Sequence, residues 1–181
     1  MTNSNETKTV VKSEALFLTV GKYIIFFQWI EGVVDQCLLL LWGHENWAET
    51  QKRLAGMRNQ EKVDALLREF QTNPANLRGQ KRPNYPHRFQ KLVERLHEER
   101  RERNSLLHSQ YIFDFLEIGQ PILRSDRRKK NGSVTFQRQG LSSEQQEAML
   151  NRVAHLAMDM NLAHVQLVHD FGAVEVSKIG A

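Results

Sequence analysis

Side chains suited to phosphate chemistry lie together in the stretch RERNSLLHSQY, residues 101–111. Arginine can hold a phosphate and stabilise charge that develops on it, histidine can move a proton near neutral pH, and an amide can position either group. Arg103, Asn104 and His108 supply these three types within six residues. Together they would suffice for metal-free RNA cleavage, in which the ribose 2'-hydroxyl attacks the adjacent phosphate.

Arg103 lies where a helix predicted over about His87 to Tyr111 should carry an apolar residue. A buried charge without a partner costs several kcal/mol, so Arg103 should meet a carboxylate or keep its donors for an anionic ligand. Glu31, within the apolar FFQWIEGVVDQCLLLLW, is the predicted carboxylate; the alternative is that Glu31 faces a loop or a subunit boundary. Projected at about 100° per residue from Phe89, the stripe around Arg103 contains Leu92, Val93, Leu96, Leu107 and Gln110.

A second polar set lies on the flank of the same helix, within about 60°: His97, Arg101, Asn104 and His108. A solvated helix face is the ordinary structural explanation for such a set. Arg103 and His108 are about 140° apart, so one helix alone does not bring them together. Arg101 shares the face of His108 more closely. Which arginine would act is therefore left open.

No convincing metal site is present in the sequence. No pair among its seven histidines has the i, i+4 spacing of a zinc-binding helix, and Cys37 is the single cysteine. Cys37 lies among apolar residues (VVDQCLLLLW), which predicts a reduced thiol in the core. Neither a metal nor a cofactor is therefore expected to support the chemistry.

Most of the chain has helical patterning. A long helix is predicted from Ser13 through Trp42, because Ser13 can cap its start and apolar residues cover almost its whole circumference. Shorter helices are predicted over NWAETQKRLAGM and QEKVDALLREF. The next stretch, TNPANLRGQKRPNYPHR, holds three of the four prolines and predicts a basic loop. An apolar residue, a serine cap and a glutamine at Leu141, Ser142 and Gln145 indicate the start of a final helix.

One short segment has strand character. Asn131-Gly132, a strong hairpin signal, precedes the alternating Val134-Thr135-Phe136. The predicted fold class is therefore all-α, a helical bundle with two long core helices and a small β-hairpin insertion near residues 120–140. The predicted organisation is a flexible N-terminal tail at residues 1–12, a single helical domain at residues 13–172 and a C-terminal tail at residues 173–181.

Length and composition restrict the class of protein. A chain of 181 residues suits one domain, and 25 Lys+Arg against 21 Asp+Glu give a formal charge of +4, which permits a polyanionic partner. The N-terminus lacks the basic-then-apolar layout of a secretory signal. Polar residues such as Lys22 and Asp35 interrupt the apolar segment from Ala15 to Trp42, which predicts a core helix rather than a membrane span. A cytoplasmic protein without membrane association is expected.

The stretch Arg103-Asn104-Ser105-Leu106-Leu107-His108 resembles the signature of the HEPN superfamily: an arginine, a polar residue, three variable positions and a histidine, late in a core helix of a helical bundle. The long first helix with an acidic residue among apolar ones is also similar to that family. The resemblance implies the family's fold for about Ser13 to Phe171, although the motif itself covers six residues.

The resemblance implies a metal-independent endoribonuclease that acts as a homodimer, with two copies of the arginine and histidine in one RNA-cleaving cleft. Arg103 would bind the scissile phosphate, Asn104 would orient it and His108 would transfer the proton, with Glu31, Arg101 and His97 as possible supporting residues. The commonest setting of the family is toxin-antitoxin or antiviral (phage) defence, with an antitoxin or regulatory protein as a further partner. Some family toxins have a modified tyrosine two residues after the histidine, where this chain has Gln110.

Cationic residues in two segments could contact an RNA backbone nonspecifically. A basic hairpin tip is also an ordinary way to keep a turn soluble. Two other functions fit the same residues: a non-catalytic HEPN-like module that binds a nucleotide or a partner protein, and a structural dimer in which Arg103 only pairs with Glu31. The candidate RNA-binding residues are Arg82, Arg127, Arg128, Lys129 and Lys130.

Overall fold

The predicted fold class is confirmed: the chain is a helical bundle with a small antiparallel sheet of three strands that lie side by side in chain order. The computed structural model describes residues 4–43, 47–114, 120–130 and 133–179. Its helices are α1 (Ser4–Trp42), α2 (Trp47–Gly56), α3 (Asn59–Thr72), a 3-10 turn (Pro74–Asn76), α4 (Leu77–Lys81), α5 (Tyr85–His108) and α6 (Ser143–Ile179). Its strands are β1 (Gln110–Ile112), β2 (Ile122–Lys130) and β3 (Ser133–Leu141).

The two longest helices extend beyond their predicted limits. α1 begins at Ser4 rather than Ser13, since residues 4–12 contain neither glycine nor proline to stop the helix. α6 continues to Ile179 rather than ending near Phe171. The predicted single domain with tails at residues 1–12 and 173–181 stays a prediction.

The segment between α3 and the sheet is more regular than predicted. The expected loop at residues 72–88 contains the 3-10 turn and α4, and the Asn73 side chain starts the turn by accepting a hydrogen bond from the Ala75 amide at 2.9 Å. α5 ends at His108 instead of Tyr111, because Tyr111 belongs to β1 and pairs with Arg124 of β2. No strand was predicted at β1, since its three residues are too few to show alternation.

Contacts divide the chain into two compact units, the larger comprising Phe27–Arg100 with the chain from Ala154 onward. Its core is built on aromatic packing: the rings of Phe70 and Phe89 stack at 3.9 Å, and Tyr85 meets Phe70 edge-on at 5.4 Å. Such pairs add to the stabilisation that comes from burial itself. Other buried residues of this unit are Ile30, Leu38, Leu66, Val93, Leu96, Leu156, Met160 and Leu167.

The smaller unit comprises the chain up to Phe26 and Arg101–Val153, and it contains the sheet. Its apolar cluster joins Leu16 of α1 to Ile122 and Leu141, which are paired across β2 and β3. α6 starts as predicted: the Ser142 amide donates to Gln145 Oε1 at 2.7 Å, and the Gln145 amide donates back to Ser142 Oγ at 3.3 Å. This reciprocal cap satisfies backbone donors that the helix itself cannot.

α1 is apolar enough, over Ser13–Trp42, to cross a membrane by length and composition, and it is the one helix of the described residues that meets this criterion. The core helix of a soluble protein meets it as well. Cys37 of α1 is fully buried, and burial raises the pKa of its thiol to about 12, so the thiol stays protonated. The predicted cytoplasmic location stays a prediction.

Candidate functional site

A polar cluster in the smaller unit fixes the last two turns of α5 against β2. The hydroxyls of Ser105 and Ser109 both donate to the carboxylate of Asp126. Ser109 Oγ also lies 2.6 Å from the Ser105 carbonyl oxygen. Ser105 lies in the last turn of α5 and Ser109 directly after it, so a single carboxylate holds the helix end and the residue that follows it.

Arg124 completes this cluster from the same strand. Its side chain is buried, and it donates to Glu102 Oε1 at 2.8 Å while lying 3.8 Å from Asp126 Oδ2. Arg124 and Asp126 are two positions apart on β2, so both point to the face of the sheet that meets α5. We name Glu102, Ser105, Ser109, Arg124 and Asp126 the Asp126 cluster.

Sequence reasoning did not find the Asp126 cluster. The available signal was weak: two serines four residues apart on a helix, and a pair of opposite charges at alternate positions in ILRSDRRKK. The two serines contact Asp126 only because of the register of the sheet, which pairs Gln110 with Ser125. That register could not be read from local spacing.

The motif residues occupy the part of α5 that the Asp126 cluster leaves open. Glu102, Ser105 and Ser109 lie within about 60° of one another, and the motif side chains point at least about 60° away from them. Arg103 and Asn104 are half-buried and joined by a hydrogen bond from Arg103 Nη1 to Asn104 Oδ1 at 3.2 Å. His108, the last residue of the helix, is exposed.

The predicted stripe is correct for the first half of α5 and wrong at its end. Four residues of the stripe are buried: Phe89, Leu92, Val93 and Leu96. At the end of the helix, Leu107 is 44% exposed and Gln110 is exposed. The neighbouring Leu106, which the stripe did not include, is buried instead. The projection assumed that one face is covered along the whole helix. At the end of α5 the covering element is β2, which selects a different face. Glu99, which the projection did not include, is buried on the same helix.

Two of the three residues predicted to support the site, Glu31 and His97, have partners in the larger unit. Glu31 accepts a hydrogen bond from Asn59 Nδ2 of α3 at 2.9 Å. His97 Nε2 lies 3.1 Å from Asp64 Oδ1. Arg101, the alternative arginine, belongs to the smaller unit and is exposed. The pairing of Glu31 with Arg103 and the supporting role of His97 stay predictions.

Arg82, a predicted RNA-binding residue, has a structural contact. Its guanidinium pairs with the buried carboxylate of Asp170 and lies 5.7 Å from the centre of the Tyr85 ring. Burial raises the pKa of Tyr85 well above its ordinary value, and the Asp170 charge adds to that shift. The side chains of Arg127, Arg128, Lys129 and Lys130, like Asn131 and Gly132, lie outside the described residues, so their predicted roles remain untested.

Tyr111 follows the motif but is bound within the fold. Its hydroxyl donates to the Leu106 carbonyl oxygen at 2.9 Å, and burial raises the pKa of the phenol. The bond joins β1 to the last turn of α5. A regulatory role like that of the tyrosine in some family toxins therefore has no support at Tyr111.

No protein-family model, no curated protein and no solved structure matches this chain.

Proposed function

We propose that the protein is a metal-independent endoribonuclease whose site is formed by Arg103, Asn104 and His108 at a homodimer interface, and that it acts as a toxin or antiviral-defence effector. The observation that carries the proposal is the geometry at the end of α5. The Asp126 cluster holds this helix end from one side, and the motif side chains point at least about 60° away from it. A preorganised support of this kind is what a catalytic site requires.

In the proposed reaction, RNA supplies its own nucleophile. The 2'-hydroxyl attacks the adjacent phosphorus, its proton passes to a histidine, and the bond from phosphorus to the 5'-oxygen breaks as that oxygen receives a proton. The products are a 2',3'-cyclic phosphate and a 5'-hydroxyl. Arg103 would neutralise the charge that grows on the phosphate oxygens, and its bond to Asn104 would hold the guanidinium in position.

The first experiment measures cleavage of 5'-labelled RNA in excess EDTA by the wild type and by Arg103→Ala and His108→Ala. We expect each substitution to lower the rate by at least about 100-fold, because general acid-base catalysis and phosphate stabilisation each contribute on this scale. His87→Ala removes an exposed histidine near the start of α5 and serves as the control. Cleavage that survives both motif substitutions would contradict the site. Arg101→Ala decides which arginine acts.

A mixture of the two variants tests the composite cleft. If two protomers share one cleft, a heterodimer of Arg103→Ala and His108→Ala retains one arginine and one histidine. We expect the mixture to regain part of the activity that each variant lacks alone. An inactive mixture that forms heterodimers would place the whole site within one protomer.

The second candidate function is a non-catalytic HEPN-like module that binds a nucleotide or a partner protein. The observation in its favour is that Arg103 and Asn104 already form a polar pair without involving His108. This function is supported if the wild type binds labelled ATP or RNA without cleaving it and Arg103→Ala abolishes binding. If Arg103→Ala unfolds the protein while His108→Ala is silent, a structural role for Arg103 is favoured.

A further inference from the structure

The sheet of the smaller unit has a second face, opposite the one that meets α5. Arg124 points toward α5, so its neighbour Ser125 points the other way. Gln110 of β1 and Arg138 of β3 pair with Ser125 across the sheet and share its face. Phe136, two positions before Arg138 on β3, points the same way. We name Gln110, Phe136 and Arg138 the outer face.

The ring of Phe136 lies in solvent rather than in the core. It is 64% exposed, and the side chains of Gln110 and Arg138 are exposed as well. Ser125, in the central strand between them, is buried. A single exposed apolar residue is ordinary on a protein surface. The significance of Phe136 therefore depends on the charges that surround it.

The hairpin that carries Phe136 is strongly basic. Residues 122–141 contain six Lys+Arg and one acidic residue, Asp126. Asp126 belongs to the opposite face, where the hydroxyls of Ser105 and Ser109 donate to it. On the side of the sheet that Phe136 occupies, the described side chains include no carboxylate. This side of the sheet therefore attracts an anionic ligand.

We propose that the outer face binds single-stranded RNA, with one unpaired base stacked on Phe136 and a neighbouring phosphate held by Arg138. Aromatic side chains exposed on an antiparallel sheet can stack bases, and every base offers a face for stacking. A guanidinium matches the geometry of a phosphate. A base inside a duplex is stacked between its neighbours and does not reach such a ring. The inference rests on the proposed function for its ligand, RNA, and adds that the RNA is unpaired.

RNA suits these residues better than an acidic protein segment does. The basic hairpin would attract either polyanion. The face of an aromatic ring carries negative partial charge, so a carboxylate gains nothing from lying on Phe136. A nucleobase gains stacking energy there. The ring therefore favours the nucleic acid.

The outer face begins beside the motif, within the same unit. Gln110 follows His108 by two residues, so their Cα atoms are at most about 7 Å apart. From Gln110 the paired row crosses the three strands to Arg138 over about 10 Å. An RNA strand with its scissile phosphate at the end of α5 would reach Phe136 within a few nucleotides. The outer face would hold the strand without contacting the reacting atoms.

The first test measures binding of a fluorescein-labelled, non-cleavable 2'-O-methyl oligonucleotide by fluorescence anisotropy. Phe136→Ala should weaken binding at least about fivefold, because stacking of one base contributes on this scale, and Phe136→Trp should restore it. Two controls should bind like the wild type: Trp47→Ala removes a half-exposed ring from α2, and Gln137→Ala changes the opposite face of β3. Equal affinities of the wild type and Phe136→Ala would overturn the proposal, as would tighter binding of the duplex than of the single strand.

A second readout reports stacking itself. The fluorescence of 2-aminopurine is quenched when this base stacks, so a 2'-O-methyl oligouridylate that contains it should lose emission on binding the wild type. Phe136→Leu keeps an apolar side chain without the ring and should abolish this quenching. Quenching of equal size with Phe136→Leu would contradict the stacked base.

These outcomes are separable from those of the cleavage assay. If the wild type cleaves RNA while Phe136→Ala binds as tightly as the wild type, the outer face is wrong and the proposed ribonuclease stands. If the wild type binds RNA through Phe136 without cleaving it, the outer face stands and the ribonuclease does not. A protein that ignores RNA but binds polyglutamate through Phe136 would assign this face to an acidic protein and overturn the proposal.

Discussion

At the scale of the residue, Asp126 has more influence on the candidate site than its sequence context suggests. One carboxylate receives the hydroxyls of Ser105 in α5 and of Ser109 directly after it, and it lies near the buried guanidinium of Arg124. Removing the carboxylate would leave these donors partly buried without an acceptor, and unsatisfied buried donors lower the stability of the fold. The positions of Arg103 and His108 therefore depend on a residue about twenty positions away that is not itself part of the proposed site.

Asp126→Ala should lower the free energy of unfolding by about 2 to 4 kcal/mol, because it removes a hydrogen-bonded charge and leaves its partners unpaired. Urea denaturation followed by circular dichroism measures the change. Asp114→Ala, at an exposed aspartate of the same unit, is the matched control and should cost under about 0.5 kcal/mol. Equal effects of the two substitutions would show that the Asp126 cluster does not stabilise the fold.

At the scale of the element, the glycines of α1 and its terminus differ in what they do. Gly21 and Gly32 lie inside the helix, and a methyl group at either position would meet no atom within 4 Å. Gly43 follows the helix with φ at 89°, a left-handed conformation that favours glycine. The first two glycines weaken the helix, whereas the third ends it.

Gly21→Ala and Gly32→Ala should each raise the free energy of unfolding by about 0.5 to 1 kcal/mol, because alanine restricts the unfolded chain and fits the helix. Gly43→Ala should lower it by about 1 kcal/mol through strain at the positive φ. Urea midpoints of the three variants, compared in one buffer, give these differences. Destabilisation by Gly21→Ala would mean that another chain packs against this position.

Elements with strong local signals were predictable, and those that depend on tertiary pairing were not. The cap at Ser142 and the hairpin followed from local chemistry that the fold preserves. The buried face at the end of α5 did not, because Glu102 and Ser105 bond to β2 there, with Leu106 buried and Leu107 exposed. The hydrogen bond from Asn59 to Glu31 was likewise not predicted, since Asn59 lies on α3 and is remote in sequence.

At the scale of the whole molecule, the fold class could be predicted because it rests on the summed apolar periodicity of many residues. The candidate site rests on six residues, and its motif could be located by type and spacing alone. The geometry around it could not, since Asp126 reaches Ser105 and Ser109 only through the register of the sheet. Arg82 shows the same limit: its basic neighbourhood predicted an RNA contact, while its charge is paired with Asp170.

The modest net charge of +4 leads to a further prediction for the proposed RNA partner. If the protein contacts about four phosphates of a non-cleavable 2'-O-methyl oligonucleotide, its affinity should fall on the order of 50-fold between about 50 and 200 mM salt. The reason is that binding releases counterions from those phosphates, which added salt opposes. Fluorescence anisotropy measures the binding constant at each salt concentration, and the slope is that of its logarithm against the logarithm of the salt concentration. Arg101→Gln should reduce its magnitude by about 0.7, while Lys52→Gln, exposed on α2, should not. Salt-independent binding would argue against a phosphate-directed contact.

The pairing of Tyr111 with Arg124 has a consequence for how this protein tolerates insertions. Side chains alternate along a strand and the hairpin turn fixes the register of β2 with β3, so one extra residue in β2 between Asp126 and the turn would move Arg124 and Asp126 to the opposite face. The same insertion in the connection between β1 and β2 would leave the alternation intact. Insertions should therefore be poorly tolerated within β2 and well tolerated in the connection that precedes it, although neither segment contains a motif residue.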